Sequence, residues 1–299
     1  MTPETVMIRI AGGLGNQMFQ YAAGKALAAR LGAETKLDTS WFDQAMDSKA
    51  PRSYALWRFG LHDPIAAPAE VERFKGDRRV VRLSRLFFGK DVRPRYRRID
   101  SRETLAASAS PGRLSGLYLD GYWQSEDYFS DHMDAVHRYF SVAEATTNDG
   151  RLEEIRRVDS VALHVRRGDY ESNPAIKARY SVCSPAYYES AVAVLEKRID
   201  GAKFFVFSDD PDWAKANLRM PSNTEYVSSG ISDNDGFADF CLMRSCSHFV
   251  ISNSTFSWWA AWLRENPDKI ICAPDPWFRD GKDDGGIVPR GWIKIRARA

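Results

Sequence analysis

No stretch of the sequence approaches the roughly 18 uninterrupted apolar residues of a membrane-spanning helix, so no transmembrane anchor is expected. The opening Met1-Thr2-Pro3-Glu4-Thr5 lacks both the basic start and the long apolar core of a secretory signal. Cysteine is scarce: Cys183, Cys241, Cys246 and Cys272 all lie in the second half, without Cys-x-x-Cys spacing. Reduced, buried thiols are therefore expected rather than a disulfide framework or a zinc site. A surplus of one charge is lacking too. The formal net charge of +2 is too small for a global pull on nucleic acid. Internal repeats and low-complexity tracts are absent. So are two familiar phosphate fingerprints. G-x-G-x-x-G from Gly13 would need glycine where Met18 stands. A Walker loop around Gly24-Lys25 fails at Ala26 and at Phe19. A cytoplasmic protein that does not bind nucleic acid is expected.

What is present is an ordinary globular composition: 299 residues, 44% hydrophobic and 27% charged. That length suits one large domain or two of about 150 residues. Val6–Ala11 reads as a strand entering Gly12-Gly13-Leu14-Gly15-Asn16-Gln17, and a helix is predicted over Met18–Leu31, closed by Gly32. Such a turn lets backbone N–H groups approach an anion, but glycine also serves turns that need only positive φ. Residues 71–100 hold eleven Lys/Arg against four Asp/Glu, interleaved with Val80, Val81, Leu83, Leu86, Phe87 and Phe88. Two readings stand: a peripheral contact with the anionic inner membrane surface, or the solvated face of a helix.

The second half alternates strand and helix. Strands are predicted at Val161–Val165, Lys203–Phe207, His248–Ile251 and Lys269–Ala273. Helices are predicted from Ser184-Pro185 to about Arg198, from Pro211 to Leu218, over Gly236–Ser245 and over Phe256–Leu263. This argues for an α/β fold with a parallel sheet covered on both faces. A boundary is expected at 140–158, dividing the chain into domains 1–150 and 151–299.

The densest chemistry is His164-Val165-Arg166-Arg167-Gly168-Asp169, at the end of a predicted strand. Arginine stays charged at any biological pH, and its planar fork of donors matches phosphate oxygens. The competing reading is a solvated ion pair of little energetic weight. Strand alternation puts His164 and Arg166 on one face and Arg167 on the other. Two further polar clusters, Ser208-Asp209-Asp210 and Ser252–Ser257, also follow predicted strands. In open α/β sheets, ligands bind at the carboxyl ends of strands, and the fold would gather all three clusters at one edge. Ser254, Thr255 and Ser257 open a helix, where hydroxyls and N–H groups suit a phosphate. Plain capping by Ser252 or Ser254 is compatible with that role. Asp209 or Asp210 suits a base or ribose, and Asp210 equally suits a helix cap. Trp258, Trp259 and Trp262 are expected in the core.

Together these residues carry a resemblance. The runs Gly12 to Ala22, His164 to Tyr170, Phe207 to Asp210 and Ser252 to Trp259 resemble the motifs of α-1,2-fucosyltransferases, glycosyltransferase family 11. Gly121-Tyr122-Trp123-Gln124-Ser125-Glu126-Asp127-Tyr128-Phe129 is similar to that family's bacterial members. The resemblance implies a GT-B-like fold of two Rossmann-like domains, with the donor in the cleft and held mainly by the C-terminal one. It implies an inverting, metal-independent transfer, with no cofactor, of L-fucose from GDP-β-L-fucose to O2 of a terminal galactose, in surface-glycan or O-antigen synthesis. The donor would meet Gly15, Asn16, Arg166, Arg167, Ser208, Asp209, Asp210, Ser254, Thr255 and Ser257. Arg166, His164 and Asp169 would be catalytic, and Glu126, Tyr122 and Trp123 would face the acceptor. The proton acceptor stays open among Glu126, Asp127, Asp169 and His164. Asp233-Asn234-Asp235 has the bare Asp-x-Asp spacing of a metal clamp but reads as loop and cap. Two alternatives stand beside this expectation: transfer of another GDP-deoxysugar such as colitose, and a non-catalytic nucleotide- or polyanion-binding module.

Overall fold

The computed structural model describes residues 4–44, 52–75, 96–106, 115–142, 150–168, 182–227, 236–279 and 286–298. Asp169, residues 76–95 of the basic segment, residues 143–149 of the expected boundary and Asp233–Asp235 lie outside the described residues. The chain divides into two compact units, Met1–Tyr139 and Phe140–Ala299.

The first unit is built on four parallel strands: β1 (Thr5–Arg9), β2 (Glu34–Asp38), β3 (Tyr96–Ile99) and β4 (Gly116–Leu119), in the order β2-β1-β4-β3. Its helices are α1 (Leu14–Leu31), α2 (Ser40–Gln44), α3 (Pro68–Lys75), α4 (Arg102–Ala106) and α5 (Met133–Tyr139). Helix α1 starts four residues before the predicted Met18, at Leu14. Gly15 and Asn16 therefore belong to its first turn and not to the loop. The turn proper is Gly12, at φ +80°, followed by Gly13 as the N-cap. The helix ends in the expected left-handed Gly32. Gly24 lies against the sheet so closely that a Cβ there would sit 2.3 Å from Ile8 Cδ1.

The second unit carries six parallel strands. They are β5 (Ser160–Val165), β6 (Lys203–Ser208), β7 (Thr224–Val227), β8 (His248–Val250), β9 (Ile271–Asp275) and β10 (Ile293–Arg296). Its helices are α6 (Arg151–Arg157), α7 (Pro185–Glu196), α8 (Pro211–Asn217), α9 (Phe237–Ser245) and α10 (Thr255–Leu263). Apart from α6, which lies where a boundary was expected, and β7 and β10, which were not legible, their types and positions follow the sequence reading within a few residues. The strand order is β10-β9-β8-β5-β6-β7, the doubly wound arrangement in which the chain runs outward from the centre in both directions. All six residues of β5 are buried, as befits a central strand covered on both faces. Val161, Leu163 and Val165 pack with Tyr187, Tyr188, Ala191 and Leu195 of α7. His164, on the opposite face, meets Phe256 of α10 at 5.8 Å between ring centres. Trp258, Trp259 and Trp262 are buried in α10, and the Trp258 indole donates to the Ile287 carbonyl at 2.6 Å. They are core residues, as expected.

Candidate functional site

Where the strand order reverses, between β5 and β8, the connections leave in opposite directions and open a crevice at the carboxyl ends. The segments leaving β5, β6 and β8 are the three polar clusters singled out in the sequence. The parallel topology makes them neighbours although they are far apart along the chain.

The β5 exit is wired to the β6 exit. Strand β5 ends at Val165, opposite Ser208 of β6. Side-chain alternation therefore does not extend to Arg166 and Arg167, and the expected sharing of a face by His164 and Arg166 has no pleat to enforce it. Contacts set their directions instead. Arg166 Nη1 lies 3.1 Å from Asp209 Oδ2. The same carboxylate accepts from the Arg167 N–H at 2.9 Å and from the Gly168 N–H at 3.0 Å. A Cβ at residue 168 would stand 2.8 Å from Asp209 Oδ2, so the carboxylate would have to shift to admit one. Arg167 Nε donates to Asp210 Oδ2 at 3.3 Å, and its guanidinium lies 3.9 Å from the centre of the Trp213 ring. Asp210 also caps α8, accepting from the Trp213 N–H at 3.2 Å, and its own N–H donates to Ser208 Oγ at 2.9 Å. The cap reading of Asp210 was right.

His164 is 6% exposed, and its Nδ1 lies 2.9 Å from Ser252 Oγ. Burial, reinforced by the nearby Arg166 charge, pushes its pKa down to about 3. At neutral pH the imidazole is uncharged and links the β5 and β8 exits. Beyond Ser252, Asn253, Ser254 and Ser257 are buried and Thr255 is half-buried. Asn253 Nδ2 donates to the Trp277 carbonyl at 3.1 Å, and Ser257 Oγ to the Ser254 carbonyl at 3.2 Å. Ser254 occupies the N-cap of α10, yet its side chain makes no capping bond, and the first turn holds no acidic residue. Hydroxyl capping by Ser252 or Ser254, the alternative open in the sequence, is not what this helix uses.

In the first unit, the Gly-rich turn and the 121–129 segment come together. Gln124 Nε2 donates to Asn16 Oδ1 at 2.8 Å. The glutamines of the turn hold its backbone: Gln17 Nε2 donates to the carbonyls of Gly12 and Ser53, and Gln20 Oε1 accepts from the Ala11 N–H, each at 2.9 Å. Trp123 has φ of +54°, rare for a bulky residue, and its buried indole N–H has no hydrogen-bond partner. Tyr122 is 49% exposed, Glu126 is half-buried, and the exposed Asp127 pairs with Arg102 at 3.0 Å.

Sequence reasoning missed a charged network at the carboxyl edge of this sheet. Asp120 bridges Arg9 at 2.8 Å and Arg98 at 2.6 Å. The buried Asp38 accepts from the Tyr118 hydroxyl at 2.6 Å, and hydrogen bonds from Ser40 and Tyr118 hold it below the ordinary carboxylate range despite burial, which acts the other way. Arg9 and Asp38 each close a strand, but the strands between residues 34 and 119 were too short and mixed to read. Among the described residues, no three His, Cys, Asp or Glu side chains gather as metal ligands. No described helix is long and apolar enough to cross a membrane.

Comparison with known proteins accords with this architecture. The family described as Glycosyl transferase family 11 matches residues 75–296. An alpha-1,2-colitosyltransferase of Escherichia coli is 30% identical over 97% of this chain and 98% of its own length. Human galactoside alpha-(1,2)-fucosyltransferase 1 is 26% identical over 96% of this chain and 73% of its own. Among solved structures, a mutant of Arabidopsis thaliana FUT1 in complex with GDP superposes with a TM-score of 0.51 at 11% identity, covering 92% of this chain and 71% of that one. This last likeness is one of fold.

Proposed function

Since the chain belongs to glycosyl transferase family 11, we propose that it transfers L-fucose from GDP-β-L-fucose to O2 of a terminal galactose, with inversion and without a metal ion or other cofactor. The observation that carries this reading is the convergence of the Arg166 turn, the Asp209-Asp210 turn and the start of α10 at the reversal point of one parallel sheet.

In such a transfer the bond between C1 of the sugar and the β-phosphate oxygen breaks. The acceptor O2 attacks C1 from the opposite face and its proton passes to a neighbouring base or to water, while negative charge collects on the departing diphosphate. Donors already in place stabilise that charge without reorganising. We assign this role to the Arg166 guanidinium and to the start of α10, with Ser254, Thr255 and Ser257. The second unit would thus hold the nucleotide, and the first unit, through Tyr122, Trp123 and Glu126, the acceptor glycan. His164 is assigned to positioning and not to proton transfer, because its ring is buried and Nδ1 faces Ser252. The setting we propose is O-antigen synthesis, since an O-antigen biosynthesis glycosyltransferase of Escherichia coli is 29% identical over 96% of this chain and 99% of its own length.

A second reading, colitosyl transfer, is favoured by the 30% identical Escherichia coli relative. Colitose is L-fucose without its 3-hydroxyl. A pocket that hydrogen-bonds that hydroxyl would reject colitose strongly, by about 10⁴-fold or more.

The test is GDP release from GDP-fucose in excess EDTA, with and without lactose, followed by competition against GDP-colitose. Lactose-stimulated release with an α-1,2-fucosylated product supports fucosyl transfer. Preference for GDP-colitose moves the assignment to the second reading. Donor binding with no release from either sugar nucleotide would leave a binding module. Activity lost to EDTA and restored by Mg²⁺ or Mn²⁺ would overturn metal independence.

A further inference from the structure

We propose that Asp209 is the positioning residue of the donor site: it fixes the 166–168 turn and aims the Arg166 guanidinium, and is not itself a nucleoside ligand. This inference rests on the reading that Arg166 holds the donor diphosphate.

The ladder between β5 and β6 pairs Val165 with Ser208, its last pair. Beyond it the hydrogen-bonded backbone stops, but the residue-by-residue match continues in side chains. Arg166 meets Asp209 and Arg167 meets Asp210, each pair the next step of the same register. Two ion pairs therefore take over where the sheet ends. They tie the turn to a segment that is itself anchored, through the Ser208 hydroxyl and the Asp210 cap.

The two pairs do different work. The Arg167 guanidinium is held on two sides, by Asp210 and by the Trp213 ring, which makes it a strut. Asp209 receives three donors from three consecutive residues: the Arg166 guanidinium and the N–H groups of Arg167 and Gly168. Successive backbone N–H groups with an arginine beside them form a concave anion nest, and Asp209 is its internal anion. Both of its oxygens are engaged there, which leaves it poorly disposed to a base or ribose. It holds Arg166 by one end of the fork, at Nη1. Guanidinium offers five donors in a fixed plane, so orientation at one edge sets the direction of the rest.

Gly168 completes the device. Its missing Cβ is what allows Asp209 Oδ2 to close on the turn, since a methyl there would stand 2.8 Å from that oxygen.

The experiment uses the full chain and four variants: Arg166→Ala, Asp209→Ala, the double variant, and Gly168→Ala. GDP affinity is measured by calorimetry and turnover with GDP-fucose and lactose, with added guanidine hydrochloride as a rescue agent. Positioning predicts that Asp209→Ala lowers kcat/KM by roughly 10-fold to 10²-fold. It further predicts that the double variant is no worse than Arg166→Ala alone, because residues acting as one unit are not additive. Free guanidinium should restore part of the Arg166→Ala activity while Asp209 is present to dock it, and restore none in the double variant.

Additive losses, equal rescue with and without Asp209, or wild-type kcat/KM in Asp209→Ala would each overturn the inference. Should Asp209→Ala not fold, Gly168→Ala tests the same contact with both charges intact. A drop in kcat at unchanged thermal stability supports positioning, and wild-type turnover refutes it. Failure of the underlying reading looks different: Arg166→Ala itself would leave GDP affinity and turnover unchanged.

Discussion

Titration of the native state through His164 provides a quantitative check on the link between β5 and β8. The imidazole is buried, bonded to Ser252 at 2.9 Å, and its pKa is pushed down to about 3. In the unfolded chain it titrates near its ordinary value of about 6.5. Between these two values the unfolded state binds a proton that the native state refuses, so stability rises with pH through this window and is lost as pH falls from about 6.5 toward 3. The slope approaches about 1.4 kcal/mol per pH unit, and the loss from pH 7.5 to pH 5 comes to about 2 kcal/mol. Carboxylates and His248, whose pKa burial also lowers, contribute to any raw pH profile. The informative quantity is therefore the difference between wild type and His164→Gln, which keeps a polar partner for Ser252 but cannot titrate. Urea unfolding followed by tryptophan fluorescence, at pH 7.5 and pH 5, should show the wild type losing about 2 kcal/mol more than the variant. A difference that stays flat between the two pH values would refute the buried neutral imidazole.

Four other outcomes are expected. Arg166→Ala should lower kcat/KM by roughly 10² to 10⁴, about 3–5 kcal/mol of transition-state stabilisation. Arg167→Lys, which loses the Nε–H bond to Asp210 and the stacking on Trp213, should instead cost about 1 kcal/mol of stability with a smaller effect on turnover; steady-state kinetics beside thermal melts would separate the two. Gly24→Ala should destabilise by about 1–3 kcal/mol through overpacking against Ile8, and combining it with Ile8→Ala should cost less than the two changes summed, as read by chemical denaturation. All four cysteines are buried, and burial pushes the thiols of Cys183, Cys246 and Cys272 up to about 12. A thiol reagent at pH 8 should therefore label them only after denaturation, and rapid labelling of the native protein would contradict their burial.

The family was legible because its motifs are local and carry chemistry that packing alone does not require. The run from His164 to Asp169, the Phe207–Asp210 strand end and the Ser252–Trp259 run stand out by residue type and spacing. The alternation of strand and helix in the second half was legible for a similar reason. Buried parallel strands are nearly continuous apolar runs, and Ser184-Pro185 and Asp210-Pro211 mark helix starts within the chain. The first unit was harder to read. Its later strands are four residues long and include charged positions such as Arg97 and Arg98, so their period is too short to register.

Side-chain assignments were the part that local pattern could not carry. The sequence presented Arg166 and Arg167 as a pair, and alternation assigned them opposite faces. Because β5 stops at Val165, their directions are set by Asp209, Asp210 and Trp213, more than 40 residues away along the chain. The strain at Trp123 and the bridging of Arg9 and Arg98 by Asp120 likewise exist only once distant segments meet. The sequence by itself determined which elements form and which chemistry they carry, since propensity, capping and apolar periodicity act over a few residues. The tertiary structure decided which groups engage one another, because hydrogen bonds and ion pairs form between neighbours in space, and strand order makes neighbours of residues the chain keeps apart.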